Sequence, residues 1–180
     1  MQESREITGA VGKAEAEAGH PPTDARVLRD ALGRFATGVT IVTTRTAEDG
    51  APIGITANSF ASVSLDPPLV LWSAARASMR HQHFAAAQAF AIHVLREDQE
   101  ALARHFTRDG MAFDGLDWAS AEGLPVLRGV LARFECVTEA THEGGDHTII
   151  IGRVTRFMQD PGARPLLFSG GKFARLAPGV

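Results

Sequence analysis

Val39 to Thr44 is an unbroken run of β-branched residues, Val-Thr-Ile-Val-Thr-Thr, and the next apolar run begins at Ile53 with no room for a helix between. Such side chains are stiff at χ1 and sit well on a pleated surface, so the run reads as strand. Glu48-Asp49-Gly50 supplies a turn into the second strand. Leu69-Val70-Leu71-Trp72 reads as a third strand after Asp66-Pro67-Pro68, and Phe90 to Leu95 as a fourth. Two long strands, roughly 130–141 and 147–158, flank Glu143-Gly144-Gly145-Asp146, and a last short one lies near Pro165 to Phe168. Parallel strands need a crossover helix each, and most of these intervals lack one. The expectation is therefore a mainly β fold, an antiparallel barrel with decorating helices.

Three helices fit between the strands. One starts with Thr23 or Asp24 as N-cap, carries Val27, Leu28, Ala31, Leu32 and Phe35 at helical spacing, and stops at Gly38. A short one covers Ser78 to Ala87, and a third, Glu97 to Phe106, puts Leu102 and Phe106 on one face. Residues 107–129 read as loop. Residues 1–22, rich in Ala, Glu and Gly, read as a disordered tail, leaving 23–180 as a single domain.

Composition narrows the function. The formal net charge of -3 offers no cationic surplus for a nucleic-acid backbone, so no nucleic-acid partner is expected. No apolar run reaches the roughly 18–20 residues that span a bilayer, and no signal peptide opens the chain, so a cytoplasmic protein without a membrane partner is expected. The one cysteine, Cys136, excludes an intrachain disulfide and reads as a small buried hydrophobe rather than a redox centre. Neither a dinucleotide-binding Gly-x-Gly-x-x-Gly after a strand, nor a phosphate-loop Gly-x-x-x-x-Gly-Lys-Ser/Thr, nor Gly-x-Ser-x-Gly is present. His142, Asp146 and His147 could meet across a hairpin as metal ligands, but hydrogen-bonding histidines at strand ends are the better reading, and no metal is expected.

The segment 54–72 carries the chemistry. It packs Thr56, Ala57, Asn58, Ser59, Ser62 and Ser64 into what reads as strand. These are poor core fillers, yet they let a flat polar ring approach main-chain N–H groups closely. An ordinary hydroxyl-rich edge strand has the same composition, and both readings stand at this point.

The stretch from Arg29 to Trp72, with Asp30-Ala31-Leu32-Gly33-Arg34-Phe35-Ala36-Thr37-Gly38-Val39 at its start, resembles the flavin reductase-like, FMN-binding split-barrel family, the short-chain reductases of two-component flavin monooxygenases. Arg76-Ala77-Ser78, Phe90 to Leu95, Phe113 to Trp118, Gly145-Asp146-His147 and the ending Pro165 to Phe168 with Gly171 and Phe173 follow in the family's order. The resemblance spans about residues 25–176. It implies a six-stranded antiparallel split barrel that forms a homodimer. It also implies FMN or FAD as cofactor, NADH or NADPH as co-substrate, and a flavin-dependent monooxygenase as partner.

Position by position, the resemblance assigns Pro52, Ile53, Gly54, Ile55, Thr56, Asn58 and Ser59 to the flavin, largely through backbone atoms. Ser73, Ala74, Ala75, Ser78, Met79 and Arg80 fall to its ribityl chain and phosphate, and His105 and Phe106 to its far end. Arg80 is equally readable as a solvated charge and Phe106 as core. His147 is the candidate for positioning the nicotinamide, with Phe168, Ser169, Gly170 and Gly171 lining that pocket. Many relatives carry Tyr or Arg where this chain has Ser169 and Gly170. Hydride transfer between stacked rings needs no protein nucleophile, so the lack of a catalytic triad accords with this activity. A non-catalytic flavin- or haem-binding split-barrel protein is the alternative. An oxidase of a pyridoxine-like phosphate ester ranks last, because Lys13 and Lys172 are the only lysines.

Overall fold

The computed structural model describes residues 23–177, so the tail expected over 1–22 lies outside the described residues. Helix α1 (Ala25–Leu32) precedes β1 (Thr37–Gly38), β2 (Thr40–Arg45), β3 (Pro52–Ala57), β4 (Ala61–Leu65) and β5 (Pro68–Ala75). Helix α2 (His81–Ala85), β6 (Ala89–Val94) and α3 (Glu100–Arg108) follow. Then come β7 (Trp118–Ala121), β8 (Leu124–Leu127), β9 (Ala132–Gly144), β10 (His147–Gln159), β11 (Leu167–Ser169) and β12 (Lys172–Ala174).

The main sheet has seven strands in the order β3-β2-β6-β9-β10-β5-β4, and its ladders are antiparallel. Its two edge strands, β3 and β4, are nevertheless consecutive in the chain, with only Asn58, Ser59 and Phe60 between them. Four Cα steps reach at most about 15 Å. The sheet must therefore curl until its edges face one another across a gap that no strand ladder closes.

The curl creates two cores, and alternation assigns each strand residue to one of them. Inside lie Val42, Ile53, Trp72, Phe84, Phe90, Ile92 and Ile150. Outside, under α3 and the C-terminal strands, lie Val39, Ile41, Leu95, Ala103, Phe106 and Phe113. Successive residues Ile41 and Val42 point to opposite sides, as the two-residue period requires. Gly152 sits where β9 and β10 shift register. A Cβ there would lie 2.5 Å from the Phe90 ring and 2.9 Å from Cys136, so only glycine fits.

Several boundaries differ from the sequence expectations. Asp24 does cap α1, accepting from Arg26 and Val27 N–H, but Gly33 ends the helix and Gly38 belongs to β1. None of its residues is buried, and Leu32 and Phe35 are 67% and 78% exposed. The expected loop over 107–129 contains the β7–β8 hairpin, and β4 makes seven strands in place of six. Leu167 to Ala174 folds back on itself as the β11–β12 hairpin, which pairs with β1.

Cys136 is buried among Trp72, Phe90 and Ile150. Burial first, and then the neighbouring Glu135 carboxylate, push its thiol up to about 12. The native protein should react with a thiol reagent at pH 8 roughly a thousandfold more slowly than a free cysteine, and normally once guanidinium unfolds it. Rapid labelling of the native chain would show that the interior of the curled sheet opens.

Candidate functional site

Pairing with β2 uses the N–H and C=O of Ile53, Ile55 and Ala57, so those of Gly54 and Thr56 point to the open edge of the sheet. Gly54 confirms the parity. Its N–H donates to Gly110 O at 2.8 Å, and its C=O accepts from Arg80 Nη1 at 3.0 Å. Thr56, two residues on, turns its N–H and C=O to the same edge. Its side chain faces α3, where Oγ1 donates to Ala103 O at 2.7 Å.

Glycine at 54 is a packing requirement. A Cβ there would stand 2.5 Å from the Phe106 ring, which is fully buried. Phe106 is thus core, touching Phe113 edge-on at 5.1 Å between centroids. Gly110 is equally constrained, since its Cβ would lie 2.5 Å from Gly54 O and 2.6 Å from Arg80 Cδ. His105 Nε2 donates to Ala112 O at 2.6 Å and so ties this loop to α3.

Arg80 lies at the centre of that junction. Besides Gly54 O, its Nη1 donates to Phe106 O at 2.5 Å and its Nη2 to Thr107 O at 3.0 Å. It therefore caps the last carbonyls of α3 and holds them against β3. Ser78 Oγ accepts from Arg80 N–H, whereas the Met79 side chain is 95% exposed.

Ser59 bridges the gap in the sheet. Its Oγ accepts from Ser73 N–H at 2.9 Å and donates to Ser73 O at 3.2 Å. Ser73, Ala74 and Ala75 pair with Ile149, Thr148 and His147, and Arg76 N–H donates to Asp146 O. His147 Nδ1 lies 2.7 Å from Asp146 Oδ1, and the hydrogen bond to His147 holds the Asp146 carboxyl below its usual range. The side chains of Ile53, Ile55 and Ala74 face the interior of the curled sheet, so only their backbone can take part in a site. Pro52 is half-buried at the start of β3, opposite Arg45.

Beside the open edge of β3 lies a groove of about 670 Å³. Thr56, Ala57 and Asn58 line its β3 side, and Phe168, Gly171, Lys172 and Phe173 the hairpin side. Helix α3 forms its wall with Glu100, Arg104, Thr107 and Arg108. Of the expected site residues, Thr56, Asn58, Phe168 and Gly171 meet here. Ser73 to Ala75 and His147 sit together at the β5–β10 end, outside the groove lining. Ser169 ends β11 opposite Lys172, and Gly170 and Gly171, both at positive φ, form the hairpin turn, where Gly170 N–H donates to Gly33 O. The reading of the sequence missed Glu100, Arg104 and Arg108, although their four-residue spacing places them on one helical face.

The groove and the open-edge strand stand in a chain whose residues 32–177 match the model of the flavin reductase like domain. The chain is 58% identical over 155 residues to the FMN reductase (NADH) SmoA of Agrobacterium fabrum, covering 86% of this chain and 87% of that one. It is 40% identical over 175 residues to the flavin-dependent monooxygenase reductase subunit HsaB of Rhodococcus jostii, covering 96% and 86%. Among solved structures, the NADH:FAD oxidoreductase SgcE6 of Streptomyces globisporus, in complex with NAD and FAD fragments, superposes with a TM-score of 0.82. That match is 44% identical and covers 88% of this chain and 96% of that one. The family model covers most of the chain, and relatives at this identity match it over most of their own length: this chain is a member of the flavin reductase like domain family.

Proposed function

We propose that the protein is an NADH-dependent flavin reductase that reduces FMN or FAD and supplies the product to a separate flavin-dependent monooxygenase in the cytoplasm. The observation that carries this is the open edge of β3, with Gly54 anchored and Thr56 presenting an N–H and a C=O beside a groove of about 670 Å³. That size is within the roughly 300–1,000 Å³ range of small-molecule sites. The kinship with SmoA and HsaB supports the nicotinamide and the monooxygenase partner respectively.

The residues present fit a flavin. A pyrimidine edge needs alternating donors and acceptors, which main-chain groups of Thr56 and Asn58 supply without bulky side chains intervening. Ser73 and Ser78 offer hydroxyls near the gap for a polyol and phosphate, and Phe168 and Phe173 give the groove an apolar wall. When bound, the flavin supplies the hydride acceptor and the nicotinamide the donor. The chain's own task is to hold the two rings in register and keep water out. His147 takes the role of orienting the nicotinamide carboxamide in this reading, which its hydrogen bond with Asp146 supports.

The curled sheet, whose edges no strand ladder joins, is the split barrel of the family, contained in one domain from residue 23 onward. A second copy completes the molecule. Exposed Leu65 on β4, Phe157 on β10, and Leu32 and Phe35 by α1 give it apolar surface to cover.

A steady-state assay crossing FMN and FAD with NADH and NADPH tests the activity. NADH should be consumed rapidly only when free flavin is added, and NADPH more slowly. Purified protein that oxidises neither nicotinamide with either flavin would instead be a non-catalytic binding protein.

A further inference from the structure

Helix α3 presents Glu100, Arg104, Thr107 and Arg108 to the groove. At 100° per residue these four positions fall within about a third of the helix circumference, so they form one stripe. Lys172 faces them from the β11–β12 hairpin. Glu100 and Arg104 pair with each other, Nε and Nη2 lying 2.8 and 2.7 Å from Oε1. The Arg104 guanidinium also lies over the Phe173 ring, 4.9 Å from its centroid. Arg108 and Lys172 enter no ion pair among the described residues. The groove thus carries three cations and one carboxylate in a protein whose net charge is -3.

We propose that Arg104, Arg108 and Lys172 form a rail for the phosphates of a nucleotide tail lying in this groove, and that Glu100 tempers it by competing for Arg104. The proposal rests on the flavin-reductase reading only for which substrate brings the tail, a dinucleotide donor or FAD. A pyrophosphate has two negative charges and acceptor oxygens spread along its length, and a line of guanidinium and ammonium groups matches it. Phe173 beneath Arg104 holds the guanidinium over an apolar ring, which supports its place in the rail. Helix C-termini ordinarily repel anions, because their last carbonyls face outward. Here Arg80 occupies the carbonyls of Phe106 and Thr107, which removes that repulsion beside Arg108.

Glu100 gives the rail its sign-specific test. In the free protein it neutralises Arg104, and an incoming phosphate must displace it. Removing its charge should therefore strengthen binding of the tail, the reverse of what losing an ordinary contact does.

Calorimetric titration with ADP-ribose, which has the pyrophosphate but neither reacting ring, isolates this chemistry. Against wild type, Arg108→Ala/Lys172→Ala should weaken binding about tenfold, and Glu100→Gln should tighten it about threefold. Wild-type affinity should also fall more steeply with added salt than that of the double variant. If the double variant binds like wild type, if Glu100→Gln weakens binding, or if adenosine binds as well as ADP-ribose, the rail does not exist. Kinetic arms then identify the source. A raised KM for NADH, with that for reduced nicotinamide riboside unmoved and kcat preserved, assigns the rail to the dinucleotide. A raised Kd for FAD, with FMN unmoved, assigns it to the flavin's adenylate. Either result supports the rail. Should wild type oxidise no nicotinamide, the reductase reading fails while the ADP-ribose titration still decides this one.

Discussion

Replacing Arg80 with Met should lower stability by about 2–3 kcal/mol and weaken binding of riboflavin and FMN together. The stability loss follows from three carbonyls, those of Gly54, Phe106 and Thr107, that share one guanidinium. An orphaned carbonyl costs on the order of 1–3 kcal/mol when buried, and less at Thr107, which is exposed and can turn to water. For a domain of this size that corresponds to a fall in Tm of roughly 5–10 °C. The loss of binding follows from position. Gly54 and Thr56 share the open edge, so freeing Gly54 O lets the strand drift from α3 just where Thr56 presents its backbone. Lysine at 80 should restore only part of the stability, because an ammonium cannot reproduce the fork that reaches the helix end and the strand at once. Thermal melts and flavin titration check both effects. If the variant melts like wild type and loses FMN while keeping riboflavin, Arg80 is a phosphate ligand and not the clamp described here.

Arg80 also shows where sequence reading reaches its limit. Strand patterning needs only neighbours two residues apart, so β2, β3, β6 and the β9–β10 pair were legible from β-branched runs and turn residues. The small residues of 54–59 marked a candidate site strand for a physical reason, since a ligand's approach excludes bulk. The partners of Arg80, by contrast, come from residues 54, 106 and 107, and nothing in its local sequence indicates them. Phe106 is similar. Its helical spacing announced a buried face, but the requirement for glycine at 54 emerges only when α3 crosses β3. The β7–β8 hairpin was missed because Gly115, Gly123 and Pro125 read as loop, whereas Glu122 and Gly123 at positive φ form its turn. The apolar spacing of α1 was legible, and its exposure was not. Amphipathic spacing shows that an apolar face exists, and does not say whether the same chain or another covers it.

Between pH 6.5 and 4 the protein should lose about 3 kcal/mol of stability through a single group, His93. Its ring is fully buried on β6, opposite Arg133 of β9. Nδ1–H donates to Ile41 O at 3.0 Å, and Nε2 accepts from Leu127 N–H at 3.0 Å, which fixes the neutral tautomer. Desolvation is the main cause that lowers its pKa to about 4; the bond to Ile41 opposes this, and the Arg133 charge adds to it. Protonation would also set a second N–H against that of Leu127, breaking the tie between β6 and the β7–β8 hairpin. The folded value lies below the unfolded one of about 6.5, so the unfolded chain binds the extra proton through this window. The stabilisation is thus complete above pH 6.5 and lost as pH falls towards 4. Carboxylates with lowered values, Asp49, Glu139 and Asp146, start from about 4 in the unfolded chain and act only on the more acidic side. Urea titrations at intervals from pH 7.5 to 4 should therefore trace a slope approaching one proton, and His93→Gln, though less stable at neutral pH, should flatten it. A wild-type profile already flat over that range would mean that water reaches the imidazole and that the β6–β8 packing is looser than the hydrogen bonds imply.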